Sequence, residues 1–152
     1  ERVSAFKLLG VYISSDLTWT VHIDNIVSKA SKRFFVIAQL VRAGVGKSDV
    51  ITVYCAIIRS VLEYACAVWH GGLTKGQSNE LESVQKRCLK MIYPELSYAD
   101  ALFVAGLSRL DIRRETIVRN LFSQVKNPSC CCCCRMRLWT EIVQPVQSVC
   151  VC

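Results

Sequence analysis

Cysteine, whose thiol can bind a metal ion or act as a nucleophile, occurs ten times in this 152-residue chain. Seven of its ten cysteines lie after residue 129, as the run Cys130–Cys134 followed by Cys150 and Cys152, and the others are Cys55, Cys66 and Cys88. Tetrahedral zinc sites use cysteines spaced about two to four residues apart, whereas a contiguous run points alternate sulfurs away from each other. The three earlier cysteines lie in apolar helical patterns, where a free thiol packs as a small hydrophobe. We therefore predict no metal site and a reduced, intracellular chain, cytoplasmic or nuclear.

No other pattern of reactive residues predicts catalysis. His22 and His70 lie on separate predicted elements, without a cysteine at ligand spacing. Gly71-Gly72 lacks the lysine and hydroxyl residue that follow the glycines of a phosphate-binding loop. The acidic residues show no paired spacing suited to a metal ion, and they resemble helix caps or members of solvated ion-pair ladders. We expect a chain that is not an enzyme by itself and that carries no cofactor.

The charge of the chain favours an anionic partner. Lysine and arginine number 19 against 12 acidic residues, which gives a net charge of +7, and such an excess is typical of nucleic-acid-binding proteins. The basic side chains cluster in two predicted helices, as Lys29, Lys32 and Arg33 in the first and as Arg109, Arg113, Arg114 and Arg119 in the last. The alternative for both sets is an ordinary solvated helix face.

Arg59 differs from these residues because it lies within an apolar helical pattern. It must pair with Glu63, extend to the surface or face a polyanion.

Hydrophobic periodicity predicts a mainly α-helical fold that follows one short N-terminal strand or hairpin. The strand covers residues 6–14 with a bend at Gly10, and apolar spacings of three and four residues then mark four or five helices. The predicted helices are 20–43, 49–69, 76–92, 98–104 and 112–126, and Gly44 is predicted to end the first of them. Ser48 or Asp49 is predicted to cap the second helix, Ser97 with Asp100 the fourth and Asp111 the fifth. Residues 50–69 are long enough to cross a bilayer, but Arg59 and Glu63 favour a buried core helix, so we expect no membrane partner.

The C-terminal residues form a separate, low-complexity segment. We divide the chain into a strand at 1–15, a helical domain at 16–127 and a tail at 128–152 that is predicted to be disordered. Poly-cysteine and alternating valine and cysteine are what simple DNA repeats encode, so we hypothesise that the reading frame has slipped into, or run into, repetitive DNA.

The order of several short motifs resembles one known family of polymerases. The motifs are Phe6–Val11, Leu17-Thr18-Trp19, His22-Ile23, Lys29 with a long helix, Tyr54, Ile58–Tyr64, Val68-Trp69-His70, Leu81-Glu82, Val84–Arg87, Ser97-Tyr98 with Ala101-Leu102, Gly106-Leu107 and Arg113-Arg114-Glu115. Together, over about residues 5–127, they resemble the segment that follows the palm in reverse transcriptases of non-LTR retrotransposons, the LINE-like elements of the Jockey and CR1 type. We accordingly interpret the chain as part of a longer protein.

The resemblance implies that the chain positions a template–primer duplex. Lys7, Leu8, Leu9 and Gly10 match the primer grip, a tight hairpin that holds the 3′ end of the primer, and the glycine would let the backbone approach the nucleic acid closely. The helices match the thumb and connector, in which Lys29, Lys32, Arg33 and Arg59 would contact phosphates.

The same resemblance places catalysis in a palm domain that this chain lacks. The palm would hold magnesium through a Tyr-x-Asp-Asp turn, whereas Tyr98-Ala99-Asp100 continues with Ala101 and opens a helix. The alternative interpretation is a helical protein-interaction module, or a decayed copy of the element with no role in nucleic-acid binding.

Overall fold

The computed structural model describes residues 4–126 and confirms a mainly α-helical fold behind an N-terminal β-hairpin. The strands are β1 (Ala5–Leu8) and β2 (Val11–Ser14). The helices are α1 (Thr20–Lys32), α2 (Phe34–Arg42), α3 (Lys47–Tyr54), α4 (Ser60–Glu63), α5 (Cys66–Trp69), α6 (Lys75–Ile92), α7 (Tyr98–Val104) and α8 (Leu110–Lys126). The predicted tail, with its cysteine run, lies outside the described residues.

The hairpin is covered on only part of its apolar face. β1 and β2 pair antiparallel with Phe6 opposite Ile13 and Leu8 opposite Val11, so these four side chains share one face. Val11 is buried in the core shared with α1, but Phe6 and Leu8 on the outer strand remain 50% and 52% exposed. The hairpin therefore presents an apolar surface that the described residues do not cover.

The first predicted helix is divided in two. α1 ends at Lys32 and α2 begins at Phe34, with a turn at Arg33, whereas the sequence predicts one continuous helix over 20–43. Gly44 follows α2 in the left-handed conformation, at φ +72°, as a helix-terminating glycine does. The apolar spacing continues across Arg33, so the pattern alone does not reveal the break.

The central helical stretch, residues 47–69, forms the core but is not a regular helix. After α3 the chain makes a π-helical turn over Cys55–Arg59, continues as α4, and breaks where Ala65 adopts a left-handed φ of +51°. The predicted caps Ser48 and Asp49 are wrong, because α3 begins at Lys47 after Gly46. The Trp69 side chain reaches back across this break, and its indole Nε1 donates to the Tyr64 carbonyl at 3.0 Å.

The residues Lys47–Gly72 are long and apolar enough to cross a membrane by composition alone. Within the fold, however, Tyr54, Ile58, Leu62 and Trp69 are fully buried by neighbouring elements. This is the pattern of the core helix of a folded domain.

α6 contributes one wall of the core and one buried carboxylate. Thr74 and Gln77 form a reciprocal capping box at its start. The sequence analysis interprets the acidic residues as helix caps or members of solvated ion-pair ladders, and for Glu82, four residues before Lys86, this is wrong, because Glu82 is only 4% exposed. Its carboxylate accepts hydrogen bonds from the Tyr98 hydroxyl and, at 3.0 Å, from the backbone N–H of Leu110.

A buried amide joins α3, α6 and α7. The Gln85 side chain is fully buried; its Oε1 accepts from the Tyr54 hydroxyl at 2.8 Å, and its Nε2 donates to the Tyr98 hydroxyl at 3.0 Å and to the Ser108 carbonyl at 3.1 Å. The prediction that Ser97 caps α7 is confirmed, since its Oγ accepts from the backbone N–H of Asp100. The prediction that Asp111 caps the last helix is wrong, because α8 begins at Leu110 and Asp111 lies in its first turn.

Candidate nucleic-acid interface

The hairpin tip is a two-residue turn with both residues in the left-handed region. Leu9 has φ +47° and Gly10 has φ +87°, the arrangement that suits the twist of a two-residue hairpin. Leu9 is 84% exposed, so the end of the hairpin presents an apolar side chain to solvent. Tyr64, which also faces solvent, donates its hydroxyl to the Leu9 carbonyl at 2.9 Å.

Gly10 has a structural role within the described fold. A Cβ added at this position would lie 3.2 Å from Cε1 of the Tyr64 ring. The positive φ and this close approach both favour glycine. The contact with Tyr64 thus explains the glycine without a nucleic acid, and the role that the resemblance implies for it stays a prediction.

Lys7 lies on the hairpin face opposite to Phe6 and Leu8. It pairs across the strands with Tyr12, and its Nζ lies 5.6 Å from the centroid of the Tyr12 ring. Lys7 is exposed and keeps its charge available beside the hairpin tip.

His22 fixes the hairpin to the helical domain. It is buried between Trp19 and Trp69, with ring centroids 6.2 Å and 5.6 Å away, and its Nδ1 accepts the backbone N–H of Tyr12 at 3.3 Å. Burial lowers the pKa of His22, which keeps the imidazole neutral and able to accept that hydrogen bond. Trp19 in turn packs on Gly72, where a Cβ would lie 2.8 Å from its Cδ1.

The end of α1 carries the cations that the sequence analysis singled out. Lys29 and Lys32 are exposed, and within residues 4–126 neither has a carboxylate oxygen within 4.0 Å. Arg33 is exposed too, and its Nη1 donates to the Ile57 carbonyl. A guanidinium has five N–H donors, so this bond anchors Arg33 and leaves donors free for another partner. Cations here also interact favourably with the C-terminal end of the helix dipole.

Arg59 does not belong to this surface. It is 8% exposed, and its Nε lies 3.8 Å from Oε1 of Glu63, which is the pairing alternative named from the sequence. Arg113 reaches the same carboxylate oxygen at 2.7 Å. Burial raises the pKa of Glu63, and the two guanidinium groups act against that shift. The predicted phosphate contact of Arg59 is therefore corrected to a buried ion pair.

The arginines of the last helix are also engaged within the chain. Arg109 pairs with Asp111 at 2.8 Å, Arg119 pairs with Glu115 at 2.6 Å, and Arg113 pairs with Glu63. Arg114 is fully buried, with its guanidinium carbon 5.9 Å from the centroid of the Trp69 ring. Carboxylates thus balance most of this second basic set, whereas Lys29 and Lys32 remain uncompensated.

A further basic group on α6 was not assigned a role from the sequence. Lys86, Arg87 and Lys90 are all exposed, and the Arg87 guanidinium stacks on Phe34 at 4.6 Å. Since Phe34 follows Arg33, this contact continues the basic surface from α1 onto α6. In the sequence, these three residues occur at positions i, i+1 and i+4 of a predicted helix. This spacing is compatible with a binding surface, but it is equally typical of a solvated helix face.

The magnesium implied by the resemblance finds no matching ligands in the described part of the chain. No group of three or more histidine, cysteine or acidic side chains there could hold a metal ion. Asp100 accepts a hydrogen bond from the Ser97 hydroxyl at 2.6 Å in the first turn of α7, and the Tyr98 hydroxyl points toward Glu82 and Gln85. The magnesium ligands of such a polymerase would have to come from other residues.

Comparison of the chain with protein families, with characterised proteins and with solved structures finds no match.

Proposed function

We propose that this chain is the primer-grip and thumb part of an RNA-directed DNA polymerase from a non-LTR retrotransposon, and that it positions the template–primer duplex without catalysing synthesis itself. The proposal rests on the motif order together with the distribution of uncompensated charge. The palm of the parent polymerase would be its second partner.

The observation that carries the proposal is the contrast between two basic helix faces. Carboxylates neutralise Arg109, Arg113 and Arg119, but none lies within 4.0 Å of Lys29 or Lys32 in the described residues. Cations without an internal partner can exchange their counterions for phosphates, and release of those counterions drives binding.

The geometry of α1 supports the division of roles between hairpin and helix. His22 holds the hairpin at one end of α1, and Lys32 lies ten residues further along, about 15 Å at the rise of an α-helix. This distance corresponds to about four nucleotide steps at roughly 3.4 Å per step. A duplex lying along α1 would thus have its terminus at the hairpin and its backbone at the lysines.

The exposed apolar face of the hairpin supports a covering partner. Phe6 and Leu8 are half-exposed on the outer strand, and a two-stranded hairpin is marginally stable alone. In the proposed polymerase, the palm would cover these side chains.

A protein-interaction module is the second candidate, and a different surface favours it. Phe103 and Val104 at the end of α7 are 87% and 57% exposed, far from the cations of α1 in the sequence. In an interaction module, these two adjoining side chains would form part of the contact surface for another protein.

The test measures binding of the full chain, under reducing conditions, to an RNA–DNA duplex by fluorescence anisotropy over a salt series. We expect log affinity to fall linearly with log salt, and the variant Lys29→Gln/Lys32→Gln/Arg33→Gln to lower that slope by about 3, about 1 for each phosphate contact.

The matched control removes three cations elsewhere, as Lys75→Gln/Arg109→Gln/Arg119→Gln, and so changes the net charge equally. An equal loss of slope in both variants would show that net charge alone drives binding. Absence of salt-dependent binding in the wild type would contradict the proposed function.

A further inference from the structure

A pocket of about 300 Å³ lies between α6 and the start of α7. Its apolar floor and walls come from Leu89, Tyr93, Leu96, Tyr98 and Ala101. The volume is at the lower end of the range for small-molecule sites, about 300–1,000 Å³, which suits one planar ring system and not a helix or a duplex.

The rim of this pocket is cationic. Lys86, Arg87 and Lys90 line it, and no acidic residue does. Each cation is held by a neutral partner: Lys86 lies 5.3 Å from the centroid of the Tyr98 ring, Arg87 lies over Phe34, and Lys90 donates to the Pro94 carbonyl at 2.7 Å. The cations are therefore held in place, and within residues 4–126 none of the three has a carboxylate oxygen within 4.0 Å. The carboxylate of Glu95, whose pKa is lowered by Lys47 and to a smaller extent by Lys90, lies outside the pocket.

Contacts with the rest of the fold hold the aromatic side chains of the pocket wall. The Tyr98 hydroxyl bonds inward to Gln85 and Glu82, and the Tyr93 ring is held beneath Lys47 at 4.9 Å. Lys47 also forms an ion pair with Glu95 at 2.8 Å, so it contacts the Tyr93 ring without adding to the net charge of the rim. A ring that is already fixed loses little entropy when a base stacks on it.

An apolar slot with fixed aromatic rings and a cationic rim matches a ligand that combines a flat ring with an anionic group. We propose that this pocket binds one unpaired nucleotide of the bound nucleic acid, with the base beside Tyr98 and the phosphate on Lys86 and Lys90. The inference rests on the proposed function, since it assumes that the chain binds nucleic acid. Arg87 stacked on Phe34, next to Arg33, connects the pocket with the basic end of α1 and favours a nucleotide over an acidic peptide.

The experiment compares a blunt RNA–DNA duplex with the same duplex carrying a four-nucleotide single-stranded extension, using the full chain at constant salt. Stacking of one base predicts at least about a five-fold higher affinity for the extended duplex. Lys86→Gln/Lys90→Gln and, separately, the pocket-filling Leu96→Trp should abolish this gain. Leu96→Trp, which changes no charge, should also keep the binding of the blunt duplex. Circular dichroism verifies that each variant is folded.

The matched control is Lys75→Gln/Arg119→Gln, which also removes two cations and should retain the gain. The inference is overturned if the extension brings no gain in the wild type, if both pocket variants retain the gain, or if an acidic peptide with one aromatic residue displaces the extended duplex as well as a free oligonucleotide does. If the inference fails but the blunt duplex still binds, the proposed function stands. If the wild type does not bind the blunt duplex, both the inference and the proposed function are contradicted.

Discussion

The substitution Gly10→Ala probes the contact between the hairpin tip and Tyr64. Alanine at φ +87° costs about 1–2 kcal/mol in backbone strain. The lower entropy of the unfolded variant returns about 0.4–1 kcal/mol. The new methyl group would also meet the Tyr64 ring at 3.2 Å and displace the hydroxyl from the Leu9 carbonyl, a hydrogen bond that contributes about 0.5–1.5 kcal/mol. We expect a net loss of about 1–2 kcal/mol in the free energy of unfolding.

The assay is urea unfolding of the full chain in reducing buffer, followed by circular dichroism at 222 nm. A double-mutant cycle with Tyr64→Ala separates the two causes, because removal of the ring abolishes the clash and leaves the backbone strain. The stability cost of Gly10→Ala should then be at least about 0.5 kcal/mol smaller in the Tyr64→Ala background than in the wild type. An identical cost in both backgrounds would refute the close-approach argument.

Leu9→Asn provides a control of opposite sign at the neighbouring position. Leucine at φ +47° is strained, whereas asparagine tolerates this region, so the variant should gain about 0.5–1 kcal/mol. A loss of stability in Leu9→Asn would show that the hairpin needs the leucine side chain for packing within the described fold.

The same Gly10 variant separates the two explanations of the glycine. If Gly10 serves only the contact with Tyr64, folded Gly10→Ala should bind duplex as the wild type does. If the backbone must also approach nucleic acid, its affinity should fall by more than the unfolded fraction explains.

Three further predictions concern buried polar groups. Burial lowers the pKa of His22 below its usual 6.5, so the stability that depends on the neutral ring is present above pH 6.5 and is lost as the pH falls below it. His22→Asn keeps an acceptor for the Tyr12 N–H but does not titrate in this range. In urea titrations, this variant should therefore lose less stability between pH 7 and pH 5 than the wild type does. Burial raises the pKa of Cys66 to about 11 and that of Cys88 to about 12, so at pH 8 their thiolate fractions are about 100-fold and 1,000-fold below that of an exposed thiol. Alkylation followed by peptide mapping should therefore modify these two cysteines efficiently only in urea. Rapid labelling of either cysteine in the native protein would contradict the prediction. Gln85→Ala removes the partner of the Tyr54 hydroxyl and of the Ser108 carbonyl, and one of the two partners of the Tyr98 hydroxyl, so it should cost about 2–4 kcal/mol in the free energy of unfolding. A loss below about 1 kcal/mol would mean that water replaces the amide.

Features that depend on a few neighbouring residues could be predicted from the sequence. The bend at Gly10, the cap at Ser97 and the helix-terminating Gly44 all follow from local backbone chemistry, and each occurs in the structure. The apolar spacing also identified residues 50–69 as the stretch that its neighbours bury.

Features decided by distant residues could not be predicted in this way. The spacing of Glu82 and Lys86 places them on one helix face but does not say whether that face is buried, and the group that satisfies Glu82 is the N–H of Leu110, 28 residues away. Arg59 had three possible environments, and part of the answer lies in Arg113, which shares its carboxylate partner from the last helix.

In the candidate interface, too, some features follow from local sequence and others depend on distant residues. The exposure of Lys29 and Lys32 follows from their place on an amphipathic helix. Whether a carboxylate neutralises a cation depends on which loops and helices meet it, and this is what distinguishes these lysines from Arg109 and Arg119. The pocket beside Tyr98 needs two helices to meet, so no single stretch of sequence contains it.

The π-helical turn over Cys55–Arg59 sets where the core segment can lose a residue. A residue deleted from an α-helical stretch rotates everything that follows by about 100°. A π-helical turn holds one residue more than an α-helical turn, so a one-residue deletion within it would restore uniform winding and leave Leu62 facing the interior. The same deletion within α3 would rotate Leu62 away from the core, so the chain should tolerate the first deletion far better than the second.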